Sequence, residues 1–384
     1  MKMYCTEVLC EIEHLAPEDS FAFQYIANFP GKLVLKHIPM EHMDRSVLQK
    51  VPNQISCLHI KESASISWIS VPRSLRCLSV DSSSLSRMDI EPSSTIRQLV
   101  ITQCDLVHVP RTVKQARSLA LLKIWKCKLR ELDLATVCDN GRLDLLILKE
   151  NEIRYVVNSA TRQCSVYDSL TSLLLSRNRI VTIDLTLFRS FVRLEHLYLA
   201  SNRLTSVTGP MVQQALYKLD LNSNRLSHLS FCDWHLPLLS ILWISSNRLA
   251  MFPNCMNHFT NLTVITAVKN ELNNFTIEAL AGMDSLISLT LSYNSLTSVT
   301  MTTERFPANL QIIDLDHNNL TALNLPSIPV QSVQIDATAN RIAEFDVNGT
   351  SANVSRLLMQ GNPIDCSWYT PHERAHVQCV RNTE

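Results

Sequence analysis

LTSLLLSRNRI, residues 170–180, carries a grammar that recurs along most of the chain. Aliphatic residues stand at Leu170, Leu173 and Leu175, an asparagine at Asn178 and a further aliphatic at Ile180. The same spacing returns in LEHLYLASNRL (194–204), LYKLDLNSNRL (216–226), LISLTLSYNSL (286–296) and LQIIDLDHNNL (310–320). The period is about 23 residues, and self-similarity at that length marks a stacked repeat architecture. It overrides the expectation of several globular domains from 384 residues, because a solenoid grows by addition and needs no second core.

Each LxL reads as a short strand. Alternation sends Leu173 and Leu175 to one face and Leu174 to the other. One such strand cannot bury its apolar face, but stacked on its neighbours it joins a parallel sheet with a continuous core behind it. The asparagine falls where the chain turns inward. Backbone groups buried there need partners, and an amide offers two donors and an acceptor. The resulting column is Asn151, Asn178, Asn202, Asn224, Asn247, Asn270, Asn294, Asn318, Asn340 and Asn362. The expected fold is therefore an α/β leucine-rich-repeat solenoid, a horseshoe with the parallel sheet on its concave face. Short helices, 3₁₀ turns or extended segments should form the convex face: 186–191 and 277–283 read as helical turns, while Pro210, Pro237 and Pro253 favour extended or 3₁₀ backbone.

Residues 1–30 read as an N-terminal cap, 31–364 as some 14–15 repeats and 365–384 as a C-terminal, cysteine-bounded cap. The first LxL is expected at Leu33 and Leu35. Before residue 140 the repeats are irregular, with two spacings near 20 residues and with Ser63, Ser83, Cys104 and Cys127 in place of asparagine. Shorter convex segments are expected there. The opening MKMYCTEVLC has no apolar run of a signal peptide and reads as a processed or engineered end.

Twelve cysteines bear on compartment. Cys5 and Cys10 precede the repeats, Cys366 and Cys379 follow them, and both pairs are expected as cap disulfides, Cys5–Cys10 and Cys366–Cys379. Cys138 with Cys164, and Cys232 with Cys255, hold equivalent positions in consecutive repeats. Stacking brings such positions within bridging range, so Cys138–Cys164 and Cys232–Cys255 are expected as disulfides, with buried thiols as the alternative. Cys57 and Cys77 also share an offset, on the outward strand face; their connectivity stays open, with a bridge the weaker alternative. Cys104 and Cys127 read as thiols within the asparagine column. N-x-S/T sequons at Asn261, Asn274, Asn319, Asn348 and Asn353 join the cysteines in favouring an extracellular, secreted location.

Composition narrows the function. With 35 basic and 35 acidic residues nothing suggests nucleic acid as a partner, and no apolar run is long enough for membrane insertion. Six glycines argue against phosphate-cradling loops, and no nucleophile elbow or Walker loop occurs. His372-Glu373-Arg374-Ala375-His376 matches the H-E-x-x-H pattern, in which two histidines one helical turn apart hold zinc and the glutamate acts as base. Only eight residues follow it, so a downstream third ligand has no chain to come from. The pattern reads as an amphipathic cap helix. No catalytic residue, metal or cofactor is expected.

The informative surface is the strand face opposite the core. Ile147, Leu174 and Tyr198 make an apolar run on it, followed by Trp243, with His196, Lys218 and Trp125 beside them. Aromatic and apolar residues among a few charges typify binding hot spots. Ile147, Leu174, His196, Tyr198, Lys218 and Trp243 are thus the candidate contact residues. Asp314, Asp316 and Asp336 make a second, acidic patch.

The LxxLxLxxNxL repeats resemble those of extracellular leucine-rich-repeat proteins over nearly the whole chain. The irregular early repeats, the Tyr4–Cys5…Cys10 opening and the GNPIDCSW ending (361–368) resemble, more narrowly, the leucine-rich immune molecules of mosquitoes. That resemblance implies a secreted haemolymph protein of innate immunity. Its implied partners are proteins: complement-like thioester proteins or another leucine-rich-repeat protein. Long members carry a further cysteine pair and a coiled coil, absent here, so the expectation is a coil-less or truncated member. The rival readings are the ectodomain of a Toll-like or adhesion receptor, and a zinc hydrolase built on HERAH.

Overall fold

The computed structural model describes residues 1–301, 305–326, 328–347 and 349–364, together with the short strand Val377–Gln378. The chain divides into two compact units. One is Met1–Val181 with Ser190–Leu197; the other is Thr182–Arg189 with Tyr198–Glu384.

In the first unit an antiparallel hairpin, Lys2–Cys5 against Leu9–Glu13, is closed by the Cys5–Cys10 disulfide. Leu9–Glu13 then pairs in parallel with Lys32–Lys36, so the parallel ladder begins inside the stretch expected as a cap. It continues in register through Cys57–Ser63, Cys77–Ser83, Gln98–Thr102, Leu121–Trp125, Leu145–Ile147 and Ser172–Leu174. The inward pairs Leu58/Ile60, Leu99/Ile101, Leu146/Leu148 and Leu173/Leu175 are fully buried, as alternation requires.

The backs of the early coils are themselves strands, His42–Met43, Trp68–Val71 and Arg87–Ile90, forming a small second parallel sheet. This explains the short early repeats: extended backbone covers about 3.3 Å per residue against about 2 Å in a 3₁₀ turn, so fewer residues close the coil. Later backs use 3₁₀ turns at Arg111–Gln115, Leu134–Val137 and Ser165–Asp168. Leu134–Val137 starts where the Asp133 carboxylate accepts the Ala135 N–H at 3.0 Å.

The second unit repeats the plan. Lys218–Asp220, Ile241–Trp243, Val264–Thr266, Ser288–Thr290, Ile312–Asp314, Val333–Asp336 and Val354–Leu358 form parallel neighbours. The expected turns appear as 3₁₀ segments, Leu185–Phe188 and Ile277–Leu280. Phe231, buried behind the strands, meets Trp234 and Phe259 edge-on at 4.7 and 5.1 Å.

The asparagine column is built as the repeat grammar implies. Asn178 donates to the Leu148 and Leu175 carbonyls, both at 2.9 Å, and accepts the Ile153 N–H at 3.0 Å. One side chain thus ties its own turn to the turn before. Asn224, Asn247, Asn270, Asn294, Asn318 and Asn340 repeat the pattern, and Asn362 ends it, donating to Ala337 and Met359. Each column residue follows one in the left-handed region: Glu150 at φ 53°, Arg177 at 59°, Ser201 at 56°, and so on to Gly361 at 72°. The column therefore demands at every coil a backbone conformation that non-glycine residues rarely adopt.

Four disulfides join described residues. Cys138–Cys164 and Cys232–Cys255 bridge consecutive coils as expected. Cys57–Cys77 is also bridged, correcting the expectation that this was the weaker alternative. Outward-facing side chains of adjacent parallel strands point the same way, and their Cα atoms, 4.5 Å apart, suit a disulfide. Cys104 and Cys127 are buried thiols. In the column the Cys127 sulfur accepts the Cys104 N–H at 3.4 Å. Cys366–Cys379, the HERAH stretch and Asn348 lie outside the described residues.

A candidate recognition surface

The outward strand positions are set by the same alternation that buries the leucines. In the first unit Ile147, Leu174 and His196 are half-buried on this face. The His196 Nδ1 lies 3.3 Å from the Ser172 hydroxyl. Lys123 and Lys126 both reach over the Trp125 ring, with Nζ 4.4 and 4.9 Å from its centroid.

In the second unit the outward face brings Tyr198, Lys218 and Trp243 together. Lys218 and Trp243 belong to paired strands, Lys218 being level with Ile241 and Trp243 with Asp220. The Lys218 ammonium sits 3.3 Å from the Trp243 ring centroid and 5.3 Å from that of Tyr198. A cation against aromatic faces is attracted by their quadrupoles, and it also holds both rings in place. Burial lowers the Lys218 pKa below the ordinary lysine value, against the opposing effect of Asp220. Burial, aided by Asp220, raises that of Tyr198. Asp220 is itself buried, its carboxylate accepting the Asn222 N–H at 3.0 Å.

The acidic residues have a structural role that their sequence positions did not reveal. The carboxylates of Asp314 and Asp336, like that of Asp220, accept the N–H two residues on, from Asp316 at 3.2 Å and Thr338 at 2.9 Å. They are turn-closing groups at strand ends. Burial pushes the Asp314 carboxyl up. It also raises that of Asp316, but hydrogen bonds from Ser292, His317 and Asp314 outweigh it and the net shift is downward. His317 Nδ1 lies 2.5 Å from Asp316, and its ring stacks on Tyr293 at 4.1 Å.

The sequons differ in access. Asn274 is exposed on a strand; Asn261 is exposed with its amide donating to the Pro237 carbonyl; Asn319 is half-buried; Asn353 is half-buried and donates to Ile328 at 2.7 Å. Among the described residues no cluster of His, Cys, Asp and Glu is placed to hold a metal, and no helix is long and apolar enough to cross a membrane.

Comparison with known proteins agrees with this geometry. A family profile described as leucine rich repeat matches residues 168–213 and 260–320. Bovine (Bos taurus) fibromodulin is 26% identical over 244 residues, which is 60% of this chain and 63% of that protein. The chain thus spans less than two thirds of the length of that relative. Among solved structures, a leucine-rich-repeat protein of Leptospira interrogans superposes with TM-score 0.59 at 19% identity, covering 94% of this chain and 98% of its own. The LRIM1/APL1C complex gives 0.59 at 16% identity, covering 94% and 63%. At these identities the structural likeness establishes the fold: a leucine-rich-repeat solenoid.

Proposed function

We propose that this chain is a secreted, non-enzymatic recognition protein that binds other proteins through its outward strand face, in innate immunity. The observation that carries the reading is the Tyr198–Lys218–Trp243 cluster, whose Lys218 ammonium packs 3.3 Å from the Trp243 ring. Aromatic side chains already held by a neighbour lose little freedom on docking, so more of their contact energy appears as affinity. Four disulfides and sequons at exposed Asn261 and Asn274 support an oxidising, extracellular setting. The immune assignment draws support from the mosquito resemblance and from a neighbour of the same fold solved as the LRIM1/APL1C complex. On this reading the partners are complement-like thioester proteins or a second leucine-rich-repeat protein. Ile147, Leu174 and His196, on the first unit, are further contact residues.

The test is a double replacement, Tyr198→Ala with Trp243→Ala, measured by surface plasmon resonance against the haemolymph proteins that co-purify with the wild type. Loss of two hot-spot side chains weakens binding by roughly a hundredfold or more. Unchanged affinity in a folded double variant refutes the assignment of this face.

A further inference from the structure

A depression of about 700 Å³ opens on the early strands of the first unit, well away in sequence from the aromatic cluster. Its lining holds three exposed cations, Lys32, Arg76 and Arg97, and no carboxylate. None of the three forms an ion pair among the described residues. Arg76 and Arg97 immediately precede the neighbouring strands Cys77–Ser83 and Gln98–Thr102, the Arg97 N–H donating to the Arg76 carbonyl at 2.7 Å. Like charges at adjacent strand positions destabilise a sheet, so this pair works against the fold in a chain of zero net charge. Half-buried His59 lines the same depression, and its Nε2 is buried without a hydrogen-bond partner. An orphaned polar atom of that kind is costly unless something else completes it.

A second depression, of about 440 Å³, shares Lys32 and His59 with the first and adds Lys36 and Lys61. Its one carboxylate, Glu11, is taken up by Lys36 at 2.8 Å. The lining of the larger depression also includes apolar groups, Val100, Ile55 and the Cys57–Cys77 bridge. The larger depression thus combines apolar lining residues, three cations without an ion pair among the described residues, and a half-buried imidazole whose Nε2 lacks a hydrogen-bond partner.

We propose that this depression binds a small, multiply charged oxyanion, an organic molecule bearing phosphate or sulfate esters, through Arg76, Arg97 and Lys32. Guanidinium groups match tetrahedral oxyanions with paired N–H donors, and two of them from adjacent coils can grip two oxygens or two ester groups. The lysine adds a point charge. The volume lies within the range of small-molecule sites. The ligand cancels the repulsion between the two arginines, so the like-charge pair that works against the empty fold favours the occupied one.

Isothermal titration of the intact protein with inositol hexakisphosphate and, separately, sucrose octasulfate tests the site and tells the ester classes apart. The expected result is saturable binding near one equivalent for at least one probe. Arg76→Ala with Arg97→Ala weakens it roughly tenfold or more, while Arg225→Ala with Arg248→Ala, which removes equal charge elsewhere, changes it less than about twofold. In thermal unfolding the Arg76/Arg97 variant without ligand melts no lower than wild type and loses the ligand-induced rise. Absence of binding by both probes, or equal weakening by the two double variants, overturns the proposal. If the double variant is unfolded without ligand, the folded single variant Arg97→Gln decides: weakened binding upholds the site and unchanged binding overturns it.

Discussion

Replacing Asn151 by alanine should destabilise the protein more than replacing Asn270, although both occupy the same column. The difference lies in what each leaves behind. Asn270 donates to the Ile244 and Ala267 carbonyls and accepts the Leu249 N–H. Both carbonyls have a second amide: Ile244 receives Asn247 at 3.0 Å and Ala267 receives Asn294 at 2.9 Å. Asn270→Ala therefore orphans one group, the Leu249 N–H. Asn151 stands at the boundary with the cysteine-bearing coils. Its Oδ1 accepts two N–H groups, from Cys127 at 3.2 Å and Leu129 at 3.3 Å. Its Nδ2 reaches the Ile124 carbonyl at 2.8 Å, and Cys127 has no amide with which to share that task. Asn151→Ala orphans three groups. At about 1–3 kcal/mol for each buried group left unmade, Asn270→Ala costs about 1–3 kcal/mol and Asn151→Ala about 3–9 kcal/mol. Coil arrays need not unfold in one step, so urea midpoints should be joined with hydrogen exchange at the Leu129 and Leu249 amides. Each amide should lose protection only in its own variant. An Asn151 variant no less stable than the Asn270 variant would refute the idea that the column acts through shared carbonyls.

Further outcomes follow from the same geometry. Cys127→Asn supplies the missing amide to Ile124 and a better acceptor than sulfur for Cys104, so its urea midpoint should rise by an amount equal to about 1 kcal/mol; a fall would mean that the site is too tight for asparagine. His59 has its pKa lowered from 6.5, first by burial and then by Lys61 and Lys32. The unfolded chain therefore binds the proton more readily, and the stability held above pH 6.5 is lost as pH falls through the depressed folded value. His59→Gln should flatten that acid slope in thermal melts, and an unaltered slope would show that another group causes it. Of the sequons, Asn274→Gln should shift electrophoretic mobility of protein expressed in secreting cells, whereas Asn353→Gln, at a half-buried amide bonded to Ile328, should not.

Much of this was readable in one line of residues. The LxL alternation named the buried leucines, and the asparagine column named the side chains that tie turn to turn, because both follow from a fixed offset within each coil. Equivalent offsets also pointed to Cys138–Cys164 and Cys232–Cys255. Other features depend on what a neighbouring coil puts alongside. The Cys57–Cys77 bridge needed strand register to show that two outward sulfurs share a row. Asp314 and Asp336 looked like surface charge until their bonds to the N–H two residues on were visible. The left-handed residue before each asparagine had no signature, since Glu150, Arg177, Ser201 and Tyr293 share no chemistry.

What the amino-acid order determined by itself was periodicity: which positions face inward, and how often the pattern returns. A period is a local property, carried by side-chain chemistry at set intervals. Which residues of different coils meet was decided by tertiary structure, through the lateral register of the strands. Lys218 between two rings, and Arg76 beside Arg97, come from coils some twenty residues apart along the chain. Only stacking at strand spacing makes them neighbours.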